Sequence, residues 1–239
     1  MNSFPESSTI VLVHGAWADG SCWTNVIHPL QRHGLKVTCA PIPLTSLSDD
    51  VAALNRTLER TSGPLILVAH AYGGAVIGAM RQERVKALVY IAALTPDEGE
   101  TVAKVFYRDE KHPDSPKLTP DAHGFIWMPE QGFHDAVAHK ASVEQTSIMA
   151  ALQRPIALQC IQEPAPSPAW KAKPSWFLLA EEDRMISPKT QRFMADRMGA
   201  SVRSEPLDHT PMLTAPERVI DLISKAARET LLRQEPVPR

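Results

Sequence analysis

The stretch from Leu65 to Met80 constrains this chain more than any other. Leu65, Ile66, Leu67 and Val68 form a short apolar run after Gly63-Pro64, the pattern of a strand buried on both faces. Tyr72 to Met80 then reads as a helix rich in small residues: Gly73, Gly74, Ala75, Gly78 and Ala79. Glycine is a poor interior helix residue, so its clustering here predicts a helix held tightly against neighbouring backbone. The chain must swing from strand to helix around Ala71. A buried strand that turns this sharply into a helix belongs to a layered α/β architecture.

The rest of the chain agrees. Apolar runs near 9–13, 36–40, 65–69 and 85–91 alternate with helical patterns near 20–33, 47–61 and 72–83. Alternation resumes with a strand at 175–180, a helix near 187–198, a strand near 201–206 and a helix near 216–232. Six strands, mostly or all parallel, with helices on both faces are expected. Between Thr95 and Pro174 the pattern breaks, because ten of the 21 prolines lie there. That segment carries helical patterns near 131–140 and 142–153 and a possible ribbon at Phe125-Ile126-Trp127-Met128. The expected organisation is a core of 1–94 and 175–239 with 95–174 inserted as a lid after the fourth strand.

The turn itself matches G-x-S-x-G, a motif that exposes a nucleophilic serine on a strained strand-to-helix bend. The flanking small positions are Ala69 and Gly73. The centre departs, with Ala71 where serine is expected. Other stretches support the match in order along the chain. Thr9–Val13 reads as a strand, followed by His14-Gly15-Ala16-Trp17. Asp183 follows the strand Ser175–Ala180, and His209 follows the strand at 201–207. The order nucleophile position, acid, base is that of the α/β-hydrolase fold. From about Ser8 to Ile223 the chain resembles small esterase-like α/β-hydrolases, the branch that includes methyl-salicylate esterases and hydroxynitrile lyases. The lyases of that branch carry threonine at the place of Gly15 and lysine at the place of Thr210, so the resemblance implies ester hydrolysis rather than cyanohydrin cleavage.

The resemblance also implies roles. A serine hydroxyl needs a base within reach, and the base needs a partner that fixes its tautomer. His209 is the expected base and Asp183 the expected acid. Glu181, Glu182, Asp208 and Asp97 are the rivals for Asp183. The backbone N–H groups of Ala16 and Tyr72 are expected to form the oxyanion hole. Trp17 and Trp127 are candidates for the substrate pocket, with core packing equally open for each. Phe106, Tyr107, Phe125 and Phe133 read rather as packing of the lid onto the core. His14 reads as a brace of its loop, His70 as packing behind position 71, and the remaining histidines as structural. His134 and His139 are five apart, which does not match the four-residue zinc spacing on a helix. No metal and no cofactor is expected.

Ala71 admits three readings: an inactivated nucleophile-to-alanine form of a serine esterase, a natural non-catalytic ligand binder, or a lyase or lactonase of the same fold. The strained turn suits serine, because it exposes the oxygen, and gives alanine nothing. With every other part retained, the inactivated esterase is the expected reading, its substrate a small apolar ester. The net charge of −2 offers no basis for nucleic acid or an anionic membrane surface. Met1 to Ser8 lacks the charged and apolar regions of a signal peptide, and no apolar run approaches membrane-spanning length. Three cysteines, Cys22, Cys39 and Cys160, read as buried and reduced, which fits a cytoplasmic protein. Glu235 to Arg239 reads as a disordered tail.

Overall fold

In the computed structural model, residues 4–5 and 7–232 are described; the expected tail at 235–239 and part of Met1–Ser8 lie outside them. The chain opens with β1 (Thr9–Val13), a 3-10 turn at Gly20–Trp23, α1 (Thr24–Arg32), β2 (Lys36–Ala40), α2 (Leu47–Glu59), β3 (Leu65–His70), α3 (Gly73–Gly78) and β4 (Val85–Ile91). The segment that follows holds α4 (Val102–Phe106), β5 (Phe125–Ile126), α5 (Glu130–Gly132) with a π-type turn at Phe133–Val137, α6 (Val143–Leu152), β6 (Ile156–Ala157) and α7 (Leu158–Gln162). The core resumes with β7 (Ser175–Ala180), α8 (Pro188–Arg197), β8 (Ser201–Glu205), α9 (Pro211–Thr214) and α10 (Pro216–Leu231).

Six strands form one parallel sheet in the order β2-β1-β3-β4-β7-β8. The apolar runs explain it. Strand side chains alternate between faces, so β1 sends Val11 and Val13 into one core and Ile10 and Leu12 into the other. β3 divides Leu67 and Ala69 from Ile66 and Val68 in the same way. The first core includes residues of α2, α3 and the 95–174 segment, and the second takes α1 and α10. Since β2 and β3 flank β1 on opposite sides, the loops leaving β1 and β3 meet at the carboxyl ends of the strands. Such a reversal of strand order is where open α/β sheets leave a crevice for ligands.

The expected helix at 72–83 ends at Gly78, before the polar run Arg81-Gln82-Glu83. Its glycines are not equivalent. A Cβ on Gly73 would lie 2.7 Å from the His14 carbonyl oxygen and 2.9 Å from that of Val13; one on Gly74 would lie 2.5 Å from the Leu94 carbonyl oxygen. Gly78 has open space. Gly73→Ala therefore drives a methyl into backbone that cannot step aside. We expect a loss of about 3 kcal/mol, read as a lower urea midpoint, with Gly78→Ala neutral or slightly stabilising.

The ribbon expected at 125–128 is shorter than its pattern. Only Phe125–Ile126 pairs, antiparallel to Ile156–Ala157. The helix expected at 131–140 is the short α5 and its π-type turn, while α6 runs close to the expected 142–153 because Ser142 and Gln145 form a reciprocal capping box at its start. The segment is tied down near the sheet's carboxyl edge. Thr210 Oγ1 donates to the Val137 carbonyl (2.7 Å), and Ala157 N–H donates to the Leu44 carbonyl (2.9 Å). No helix among the described residues is long and apolar enough to cross a membrane.

Candidate active site

Ala71 sits between β3 and α3 with φ of 47°, in the left-handed region that a non-glycine residue enters at a cost of about 1–3 kcal/mol. The turn is pinned from both sides. Ala71 N–H donates to the Ile91 carbonyl (3.3 Å), and the Ala71 carbonyl accepts from Gly74 N–H (3.0 Å) and Leu94 N–H (2.9 Å). Gly15 faces it across the crevice, where an added Cβ would stand 2.9 Å from the Ala71 methyl. Only glycine at 15 lets the loop after β1 approach so closely.

Asp183 is fully enclosed and accepts four hydrogen bonds. Its Oδ1 takes the N–H of Met185 (2.7 Å) and of Ile186 (2.9 Å), and its Oδ2 takes Gln191 Nε2 (2.7 Å) and His209 Nδ1 (2.7 Å). Each carboxylate oxygen has two donors, which satisfies it as burial requires. The bond to Nδ1 leaves Nε2 of His209 as the free ring nitrogen. The other acids are engaged elsewhere. Asp97 pairs with Lys171 at 2.6 Å and Glu182 with Lys140 at 2.8 Å. Glu181 accepts from Ser204 Oγ, and Asp208 accepts from Thr214 Oγ1 and the amides of Thr210 and Lys140.

His70 takes a role that its place in the sequence does not announce. Its Nε2 donates to the His209 carbonyl (2.7 Å), and the two rings are 4.7 Å apart. Burial first, and then the neighbouring His209, hold its pKa well below the usual histidine range. A neutral His70 thus clamps the backbone of the loop that carries His209. His14, also buried and depressed by that burial, donates from Nδ1 to the Gly15 carbonyl at 2.9 Å.

Ala71 and His209 both face a cavity of about 570 Å³, counted with its mouth, walled by apolar side chains including Leu94, Val102, Phe106, Ile126 and Met185. Ala16, Trp17 and Tyr72 also line it. Among the described residues neither the Ala16 nor the Tyr72 N–H bonds to a protein acceptor; for Tyr72 this follows from its place at the start of α3. Trp17 is itself strained (φ 57°) and its indole donates to the Ile126 carbonyl at 2.9 Å. Two expectations about the aromatics need correction. Trp127 lines none of these walls: it is 51% exposed, and its indole donates to Asp121 Oδ2 at 3.2 Å. Phe106 and Tyr107, expected as packing, line the cavity. Ile126 is buried, while Trp127, the first residue past the ribbon, is exposed. Among the described residues no group of three or more His, Cys, Asp or Glu side chains is placed to hold a metal ion.

Behind Tyr72 lies a buried polar cluster for which the sequence carries no signal. Tyr72 O–H donates to Asp50 Oδ2 (2.6 Å), and Leu44 N–H donates to Asp50 Oδ1 (2.7 Å), holding Leu44 at φ 62°. Burial pushes the Asp50 carboxyl up to about 6, against the bonds from Tyr72 and Leu44 that favour its charge. The raised value means that the fold keeps a proton the unfolded chain has already released between about pH 4 and 6. Stability carried by this group is present below that window and lost as pH rises through it, by on the order of 3 kcal/mol. Asp50→Asn should flatten this dependence, seen as a narrowing difference between urea midpoints at pH 4.5 and 7.5. Equal pH dependence in both proteins would refute it.

Residues 10–222 match the model of the alpha/beta hydrolase family. The chain is 25% identical to Methylesterase 2 of Arabidopsis thaliana, over 92% of this chain and 96% of that protein. Its fold superposes on a pyrethroid hydrolase from Sphingobium faniae with a TM-score of 0.80 at 22% identity, covering 92% of this chain and 97% of that one. Tomato methylketone synthase I, solved with 2-tridecanone, superposes with a TM-score of 0.75 at 19% identity, covering 94% and 99%. Likeness at such identities speaks for the fold, while the family match spans most of the chain: it belongs to the alpha/beta hydrolase family, in an esterase-type branch.

Proposed function

We propose that this chain is a carboxylic-ester hydrolase halted at its first chemical step, which binds a small apolar ester and turns it over poorly because Ala71 has no oxygen to attack with. The observation that carries the reading is the 2.7 Å contact of His209 Nδ1 with Asp183 Oδ2, together with the cavity that His209 and Ala71 share. In the serine form, Oγ would bond to the acyl carbon as His209 Nε2 takes its proton. The carbonyl oxygen, now negative, would be held by the N–H groups of Ala16 and Tyr72. His209 would return the proton to the alkoxide as the ester C–O bond breaks, and water would release the acid by the same steps. Asp183 fixes the imidazole, Trp17 shapes the pocket, and the 95–174 segment serves as the lid. The reaction draws on no cofactor. Three cysteines without disulfide partners suit the cytoplasm.

A second reading is favoured by Ala71 itself: a natural binder, or a lyase or lactonase that works through His209 alone. Restoring serine at 71 separates the readings. Acyl-enzyme and turnover support the esterase; unchanged rates with unchanged ligand binding support the binder.

A further inference from the structure

The space around Ala71 does not end at the apolar cavity. A smaller cavity shares Ala16, Trp17, Ala71 and His209 with it and is lined also by His70, Phe133, Met149 and Thr210. This cavity shares Trp17, Ala18, Cys22, Met149 and Thr210 with a surface groove of about 900 Å³, counted with its open mouth. Trp17 lines all three spaces. One bank of the groove is polar, with Asp19, Ser21, Thr24 and Asn25; the other is α6, which presents Ile148, Met149 and Leu152. Ile148 and Leu152 are each 52% exposed. They are one helical turn apart and share a face, so α6 turns an aliphatic strip toward this groove, which abuts the small cavity at position 71 through those shared walls.

We infer that this groove, with the small cavity it adjoins, is the seat of the alcohol half of the ester, and that the alcohol is a bulky aromatic or long-chain one rather than methanol. The inference rests on the ester-hydrolase reading. The deep cavity, walled almost wholly by hydrocarbon, suits the acyl half, which must stay put while water enters. The alcohol must leave first and needs an open way out. The groove lies next to the small cavity that His209 lines, so an alcohol seated there leaves toward solvent once His209 has delivered the proton to the departing oxygen. A methyl group would need none of this room, and the aliphatic strip on α6 would have nothing to cover it.

The test begins with the chain as it stands. 2-Naphthol, titrated by its own fluorescence, should bind, and Ile148→Glu/Leu152→Glu should weaken it about tenfold by setting charge against an apolar ring. Val143→Glu is the control: it lies on the same helix, is 67% exposed and stands outside the groove. In the Ala71→Ser protein, the paired substitution should cut kcat/KM for 2-naphthyl butanoate by about tenfold while methyl butanoate is hardly affected. Equal losses for both esters, naphthol binding indifferent to α6, or naphthol binding lost instead on Ala103→Trp, which places an indole on a wall of the apolar cavity, would each overturn the assignment. If Ala71→Ser hydrolyses nothing, the ester reading fails, and the naphthol titration still reports on the groove.

Discussion

Ala71→Ser is expected to raise the rate of ester cleavage by about 10³–10⁶-fold over the chain as written. The expectation follows from what is already in place. The backbone at 71 holds its left-handed bend without the oxygen that the bend would display. The imidazole is bonded to its acid, and among the described residues the amides of Ala16 and Tyr72 have no protein acceptor. Serine adds one oxygen to an alanine site, a change small enough for the turn to accept. The lower end of the range allows for background catalysis by the oxyanion donors and by binding alone. The measurement is 4-nitrophenol release from 4-nitrophenyl butanoate, with mass spectrometry of quenched protein to catch an added butanoyl group on residue 71. A folded Ala71→Ser protein that neither gains that mass nor speeds release would end the esterase proposal.

Asp183→Asn in the Ala71→Ser background should lower kcat by about 10⁴-fold with KM changed much less. The carboxylate accepts four N–H groups, two on each oxygen. An asparagine can keep its oxygen toward Met185 and Ile186, but its NH₂ then faces Gln191 Nε2 and His209 Nδ1, donor against donor. The imidazole escapes by shifting its proton to Nε2, the tautomer that cannot take a proton from serine. Gln191 can escape by rotating its amide, at the cost of its bonds to the Ala180 amide and the Ile186 carbonyl. A drop of less than tenfold in kcat would remove Asp183 from the orienting role. A rise in KM alone would make it a packing residue.

The strands were legible because a two-sided parallel sheet writes itself as near-continuous apolar runs, and β1, β3, β7 and the part of β4 after Lys86 carry such runs. The candidate site was legible where it hangs on strand ends: 71, 183 and 209 each follow one. The resemblance singled out Asp183 over Glu181, Glu182 and Asp97; where each carboxylate points, which the order of residues does not state, comes only from the bonds each one makes. The aromatics of the insertion failed for a related reason. A two-residue ribbon gives no alternation to read, so nothing in Phe125-Ile126-Trp127-Met128 says that Ile126 faces in and Trp127 out. The tie from Asp50 to Tyr72 joins residues 22 apart in a helix and a turn. In sequence Asp50 looks like any acid in a first helical turn.

The indole of Trp17 holds a strained loop residue to the ribbon of the insertion through a single bond to Ile126. The bend at 17 thus depends on a residue more than a hundred positions away in the chain. A substitution that shifts the Ile126 carbonyl, though remote from residue 71, would loosen the turn beside the Ala16 amide.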